Sequence, residues 1–416
     1  MIEGGAPLQG TINVSGAKNA ALPIMAACLL TDDRCRIRNV PRVADVLTMI
    51  KILQALDVKA SLEEDRLTVQ ANGYQKYVAP YKLVSTMRAS ICTLGPLVGK
   101  QRRAEVSMPG GCVIGPRPID LHLKGLAALG VDIAVKHGYV IADAKRLRGG
   151  QVYLGGAFGS SVLATDNVMM AATLAPGRTI IENAACEPEV VDLAHFLQKM
   201  GAKIEGEGSH TIEIEGVKRL HGADYTIIPD RIEAGTYMIG AAMARSTLTV
   251  RGARLDHLSA LVDKLTEAGV SVRAVDGGAR VQAHRQLRPV DATTLPYPGF
   301  PTDLQAQMMA LMTITPGISV ITEKVYPERF MHISELNRMG AAIQLQGDSG
   351  IVKGVRRLSG APVMASDLRA SAALVLAGLV AEGQTDVARV YHLDRGYDKL
   401  ERKLAAVGAK IWRDKA

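Results

Sequence analysis

The chain has 416 residues, 48% of them hydrophobic but only 4% aromatic, and a formal net charge of +8. This length exceeds one ordinary core and points to two or three domains of about 100–200 residues. With one Trp and four Phe, those cores are aliphatic. The positive balance is spread along the chain and fits an acidic partner: a phosphorylated metabolite, a nucleic acid or a membrane surface. The shortage of aromatic residues argues against stacking platforms for single-stranded nucleic acid.

Taken in order, the chain opens on Met1-Ile2-Glu3-Gly4-Gly5, which has neither the basic nor the apolar region of a secretory signal. The longest apolar run, residues 370–380, is too short to span a bilayer. The five cysteines, Cys28, Cys35, Cys92, Cys112 and Cys186, are odd in number and form no C-x-x-C pair. A disulfide framework and a zinc site are therefore not expected, and a reducing cytoplasm is the expected location.

One helical ending recurs six times, at residues 52–58, 125–131, 196–202, 264–270, 335–341 and 403–409, as in Phe196-Leu197-Gln198-Lys199-Met200-Gly201-Ala202. Each reads as the last turn of an amphipathic helix stopped by a left-handed glycine, with Asp57 in that place in the first copy. A short strand follows each. The spacing of ~70 residues is longer than that of the common solenoids. An Ala-rich helix running into a β-branched strand accompanies the ending: 20–30 into 35–40, 169–174 into 179–183, 234–244 into 247–250, 305–312 into 318–322 and 370–380 into 385–390. These helices have no polar face and are expected to be buried centrally. The unit reads β-α-β-α-β-β. Six such α/β units divide most simply into two groups of three, with the boundary near Ile228-Pro229-Asp230.

The segment 109–120 contains three prolines and three glycines, which exclude a regular helix or central strand. The resulting loop carries a thiol, Cys112, near a guanidinium, Arg117. A free thiol has a pKa of about 8.5, and neighbouring cations lower it and make it reactive. The alternative is an ordinary Gly-Pro loop with an incidental cysteine.

Other polar motifs interrupt the aliphatic pattern near buried helices. They are Ser15-Gly16-Ala17-Lys18-Asn19, Thr86-Met87-Arg88-Ala89-Ser90 within the second unit's helix, Phe300-Pro301-Thr302-Asp303 and Ser366-Asp367-Leu368-Arg369. Glu328-Arg329-Phe330 and Asp394-Arg395-Gly396-Tyr397 add two loop arginines. A helix N-terminus beside a cation attracts anions. Thr302, Ser366 and Asp367 serve equally well as helix caps. Capping does not explain Lys18, Arg88, Arg369 or Arg395. These are either solvated charges or, if the repeats pack about a pseudo-axis, parts of one polyanion site. His122, His195, His257 and His332 show no ligand spacing and read as structural or surface residues. Neither a phosphate-loop nor a dinucleotide fingerprint is present.

With Gly16-Ala17-Lys18-Asn19-Ala20-Ala21-Leu22-Pro23, Pro109-Gly110-Gly111-Cys112, Arg329-Phe330-Met331-His332 and Asp367-Leu368-Arg369-Ala370-Ser371 added to these motifs, the chain resembles the UDP-N-acetylglucosamine 1-carboxyvinyltransferase (MurA) family from end to end. The resemblance implies a two-domain inside-out α/β barrel, the enolpyruvyl transferase fold. The expected domains are 1–17 with 229–416, closed by the N-terminal strand, and 18–228, carrying the Cys112 loop. The implied reaction moves the enolpyruvyl group of phosphoenolpyruvate to the 3′-hydroxyl of UDP-N-acetylglucosamine and releases phosphate, the committed step of peptidoglycan precursor synthesis. Both partners are small molecules, and no cofactor, metal, nucleic acid or membrane is implied.

By the same resemblance Cys112 is the general acid, forms an adduct with phosphoenolpyruvate and is the residue alkylated by fosfomycin. Asp303 contacts the 3′-hydroxyl and acts as base, with Asp367 assisting proton transfer. Lys18, Arg117 and Arg395 hold the phosphate, and Arg329 and Arg369 lie near the carboxylate. Asn19, Arg88 and Val325 line the sugar and diphosphate site, while Arg117, Pro118, Ile119, Asp120 and Leu121 bind the uridine end. Ser160, Ser161 and Val162 complete the nucleotide contacts. Two departures stand out: Cys92 replaces a frequent tryptophan, and Leu163 replaces a glycine next to the nucleotide contacts. The alternatives are transfer to a related acceptor, such as shikimate 3-phosphate, and a non-catalytic repeat ring that binds nucleic acid.

Overall fold

The computed structural model describes residues 1–108, 119–157, 159–283 and 286–414. Two compact units emerge: one runs from Gly16 to Ile228, and the other joins Met1–Ser15 to Pro229–Ala416. Among the described residues each unit holds three four-stranded sheets. Every sheet has one plan, a parallel pair extended by two antiparallel strands, as the six-fold sequence pattern requires.

In the Gly16–Ile228 unit the central strands are Arg34–Arg38, Arg103–Ser107 and Arg178–Glu182. Their parallel partners are Asp224–Thr226, Val78–Ala79 and Gln151–Tyr153. In the other unit Thr247–Arg251, Ile318–Glu323 and Gln384–Ala388 are central, paired in parallel with Gln9–Asn13, Ala292–Thr294 and Pro362–Met364. Three strands come from far along the chain. Asp224–Thr226 returns to the first sheet. Gln9–Asn13 lies on Thr247–Arg251. Ile2–Glu3 sits between Gln384–Ala388 and Lys410–Ile411. Each unit is thereby tied by strands from its own chain ends.

The apolar helices fill the interiors. All of Arg231–Met243 and all of Gln305–Thr313 are buried, as is Arg369–Leu379 of the helix Leu368–Val380. Lys18–Ala27 is buried except at Asn19, and Val162–Ala172 from Ala164 onward. Alanine and glycine allow these helices to approach closely, so that a few buried polar groups can bridge them. In the Gly16–Ile228 unit, Asn167 Oδ1 accepts the Gly95 N–H at 2.7 Å, and its amide nitrogen donates to the Ile91 carbonyl at 3.0 Å. This satisfies a side chain that would be costly to bury alone.

All six helix-ending residues have positive φ: Asp57 64°, Gly130 81°, Gly201 100°, Gly269 92°, Gly340 88° and Gly408 106°. In alternate repeats an amide side chain from the last turn reaches the next strand. Gln54 donates to the Ala60 carbonyl at 3.0 Å, Gln198 to Ile204 at 2.9 Å and Asn337 to Ile343 at 3.0 Å.

One expectation is corrected. Arg88 does not sit in the second unit's helix; Arg88–Thr93 is a 3-10 turn preceding the helix Leu94–Gln101. Pro96 lacks an N–H and is best accommodated in the first turn of an α-helix, and the helix begins just before it.

Gly354 shows how tightly the loops close on the sheets: a Cβ there would fall 1.7 Å from the Thr315 carbonyl oxygen. At Gly347 (φ +60°) nothing lies within 4 Å of such an atom. Gly354→Ala is expected to destabilise by about 3 kcal/mol or more, against about 1–2 kcal/mol for Gly347→Ala, which meets only the left-handed penalty. Urea unfolding of the two variants tests this; equal midpoints would contradict it.

Candidate active-site residues

In the Pro229–Ala416 unit the sequence motifs converge on Asp303. Pro301 leads into the 3-10 turn Thr302–Leu304, which places Asp303 at the mouth of the helix Gln305–Thr313. The strand Ile318–Glu323 ends on Glu323, which is fully buried. Its carboxylate accepts Thr294 Oγ1 at 2.6 Å, Thr302 Oγ1 at 2.9 Å, and the Val325 and Tyr326 N–H groups at 2.9 Å each. Glu323 thus shapes the turn bearing Val325 and fixes Thr302 beside Asp303.

Arg329 follows that turn. Its Nη1 donates to Thr302 Oγ1 at 3.1 Å and to Asp303 Oδ1 at 2.8 Å, and its Nη2 lies 3.8 Å from Asp367. Arg369, the second residue of Leu368–Val380, brings Nε to 3.3 Å from Asp303 Oδ2. Its guanidinium lies 5.0 Å over the centre of the Tyr397 ring, within cation–π range. The Tyr397 hydroxyl is 2.8 Å from Thr236 Oγ1 and 3.2 Å from Gln307 Nε2, and Gln307 also donates to the Asp303 carbonyl at 3.0 Å. One polar knot therefore joins the three central helices of this unit.

Burial opposes the charge of both arginines, yet both are held more firmly protonated than usual. Asp303 and Asp367 outweigh burial at Arg329, and Tyr397 and Asp303 do so at Arg369. Asp367 caps the helix Leu368–Val380, its Oδ1 accepting the Arg369 N–H at 2.7 Å and the Ala370 N–H at 3.1 Å. Of the other two cap candidates, Thr302 instead bridges Glu323 and Arg329, and the Ser366 hydroxyl is buried without a partner among the described residues. His332 is buried next to the cluster, where desolvation pushes its pKa down to about 4, so it is neutral at neutral pH. Arg395 ends the 3-10 turn Val390–Arg395 and is half-buried.

In the Gly16–Ile228 unit Lys18 opens the helix Lys18–Ala27, and its Nζ lies 2.6 Å from Asp45 Oδ2, with both side chains buried. Asn19 and Arg88 are half-buried. Asp120 begins the helix Asp120–Ala128 and is exposed, Ile119 is buried and Leu121 half-buried. Leu121 meets the small hairpin Gly155–Gly156/Gly159–Ser160: its Cδ1 lies 3.2 Å from where a Gly156 Cβ would stand. Ser161 caps Val162–Ala172, its Oγ accepting the Ala164 N–H at 3.3 Å. The structure thus brings Leu121, Ser160, Ser161 and Val162 into one neighbourhood. Cys92 is fully buried, where desolvation and then Asp166 drive its thiol pKa up. Cys112, Arg117 and Pro118 lie outside the described residues.

Sequence reasoning missed Glu323, Asp45, Tyr397, Gln307 and Thr236 as parts of these networks. An acid closing an apolar strand is the signal that could have found Glu323; the others are recognisable only once the helices are packed. Among the described residues no group of three or more His, Cys, Asp or Glu is arranged to hold a metal ion.

A family model described as EPSP synthase (3-phosphoshikimate 1-carboxyvinyltransferase) matches residues 2–404. The chain is 54% identical to the UDP-N-acetylglucosamine 1-carboxyvinyltransferase of Methylacidiphilum infernorum, covering 99% of this chain and 98% of that protein. It is 55% identical to the protein of that name from Myxococcus xanthus, covering 100% and 99%. Among solved structures it is similar to the enolpyruvyl transferase NikO from Streptomyces tendae, at TM-score 0.88 and 26% identity over 98% of this chain and 97% of that one. EPSP synthase from Acinetobacter baumannii, at 15% identity and TM-score 0.74 over 98% and 97%, shares the fold. Full-length identity at this level, together with six sheets of one plan and the enolpyruvyl transferase fold, places the chain in the UDP-N-acetylglucosamine 1-carboxyvinyltransferase family.

Proposed function

We propose that this chain transfers the enolpyruvyl group of phosphoenolpyruvate to the 3′-hydroxyl of UDP-N-acetylglucosamine and releases phosphate, in the cytoplasm, as the committed step of peptidoglycan precursor synthesis. Identity above 50% to enzymes of that name over the whole chain carries this reading. The clamp of Asp303 between Arg329 and Arg369 gives it a chemical centre. No described helix is long and apolar enough to cross a membrane. The reading assigns no part to nucleic acid or to a lipid surface.

In this reading the sugar hydroxyl adds to C2 of phosphoenolpyruvate while Cys112 delivers a proton to C3 and Asp303 takes the hydroxyl proton. Loss of phosphate and of a C3 proton then restores the double bond. Arg329 and Arg369 stabilise the carboxylate in a setting where fixed charges act strongly. Lys18, Arg117 and Arg395 take the phosphate. Lys18 reaches it from a buried pair with Asp45, so that pair loosens or Asp45 shares the lysine. Asn19, Arg88 and Val325 line the sugar and diphosphate. Arg117, Pro118, Ile119, Asp120, Leu121, Ser160, Ser161 and Val162 contact the nucleotide. Asp367, which caps its helix and lies 3.8 Å from Arg329, assists the proton transfer.

Two outcomes are expected. Cys112→Ser lowers turnover by about 10²–10⁴-fold, the usual worth of a positioned proton donor, and abolishes any phosphoenolpyruvate adduct seen by intact-mass spectrometry; full activity in a phosphate-release assay would remove the assigned role. Glu323→Gln leaves the nucleophile and the base in place but weakens the acceptor for four donors. It should lower kcat/KM by roughly 10-fold, corresponding to about 1.4 kcal/mol; unchanged kinetics would show that Thr302 and the Val325 turn hold their positions without it.

A further inference from the structure

We infer that the Asp303 carboxylate is an internal occupant of a carboxylate site, and that a substrate carboxylate exchanges with it on Arg329 and Arg369. This rests on the reading of Asp303 as the base. Each carboxylate oxygen engages a different guanidinium, Oδ1 with Arg329 at 2.8 Å and Oδ2 with Arg369 at 3.3 Å. The two cations are the fixed members of the trio: their side chains are 7% and 1% exposed, against 27% for Asp303. Their anchors also persist without Asp303. Arg369 rests on the Tyr397 ring, which Thr236 and Gln307 hold by its hydroxyl. Arg329 is bonded to Thr302, itself held by Glu323, and faces Asp367.

A second observation points to an incoming anion. Arg369 Nη1 is buried and has no hydrogen-bond partner among the described residues, although a buried charged donor normally finds one. Only a glycine fits beside it at position 396, where a Cβ would stand 2.3 Å from Leu368 Cδ1 and 3.5 Å from Nη1. The guanidinium pair thus offers a donor that Asp303 does not use. Gln307 holds the Asp303 backbone through its carbonyl, so the backbone stays in place while the aspartate side chain rotates.

The exchange has a chemical consequence. A carboxylate bonded to two guanidinium groups is a poor proton acceptor. Once a substrate carboxylate takes its place, Asp303 loses both ion pairs and gains a like-charged neighbour, and both changes make it a stronger base. The base is therefore switched on by arrival of the second substrate, next to the hydroxyl it is to deprotonate.

The test is the affinity of phospholactate, a saturated carboxylate and phosphate analogue that cannot react, measured by calorimetry. If the native aspartate occupies the pair more than about nine-tenths of the time, the Asp303→Asn protein binds phospholactate about tenfold tighter or more than the wild type. Inorganic phosphate, which has no carboxylate, gains much less. Equal or weaker phospholactate binding, or an equal gain for phosphate, would overturn the exchange. Should Asp303→Asn not fold, the wild type supplies the second measurement. Phospholactate, but not inorganic phosphate, should tighten UDP-N-acetylglucosamine binding by coupling through the released aspartate, and absence of that difference would equally overturn it. Wild-type phosphate release from the two natural substrates, run alongside, separates failure of the exchange from failure of the assigned reaction.

Discussion

Two buried arginines sharing one carboxylate form the constraint on which the Pro229–Ala416 unit depends. Neither Arg329 nor Arg369 could remain charged in an aliphatic interior without an anion, because the cost of burying an unpaired charge is severe. The surrounding polar groups exist to make that arrangement affordable. Glu323 orients Thr302, Asp367 caps a helix while facing Arg329, and Tyr397 lies under Arg369 with its hydroxyl tied to Thr236 and Gln307. Each of the three central helices supplies at least one member of this network. A chemically demanding cluster is thus supported by the buried central helices of the unit.

The other unit follows the same design with different contents. There the central helices are bridged by Asn167, which reaches the Ile91 carbonyl and the Gly95 N–H, and the first helix buries Lys18 against Asp45. In both units small apolar residues let the helices come close, and in this one a single side chain, Asn167, bridges them. Removing it would leave backbone groups of the neighbouring repeat without partners.

Much of this was legible in the sequence because the repeats are local. A helix ending on glycine carries its own signal, and all six endings, with Asp57 in place of glycine once, adopt the left-handed conformation that the spacing anticipates. The Ala-rich helices were recognisable from their missing polar face and are buried. Arg369 could be singled out because a cation at a helix entrance is not explained by capping, whereas Arg329 read only as a loop arginine and the roles of Asp303 and Asp367 came from the family resemblance. What the residues alone did not show is which anion meets which cation: the pairing of Asp303 with two arginines, and of Lys18 with Asp45, arises from helix packing between distant segments. The run 86–90 was placed within the second unit's helix, whereas that helix starts several residues later, just before Pro96. The resemblance of the motifs to one enzyme family supplied the reaction, which composition and charge could only narrow to an acidic partner: a phosphorylated metabolite, a nucleic acid or a membrane surface.

The placement of Ile2–Glu3 between Gln384–Ala388 and Lys410–Ile411 bears on how the protein is made. The Gly16–Ile228 unit has all its strands once residue 226 has been synthesised, so it can complete its sheets while the ribosome is still translating the rest. The remaining unit cannot, because its last sheet needs both the first strand produced and the final one. Gln9–Asn13 must therefore wait unpaired until Thr247–Arg251 is made, and Ile2–Glu3 until Gln384–Ala388 and Lys410–Ile411 follow. Their short, largely polar segments, Ile2–Glu3 and Gln9–Asn13, suit that delay, since so few apolar residues in a row offer little for a neighbouring nascent chain to capture.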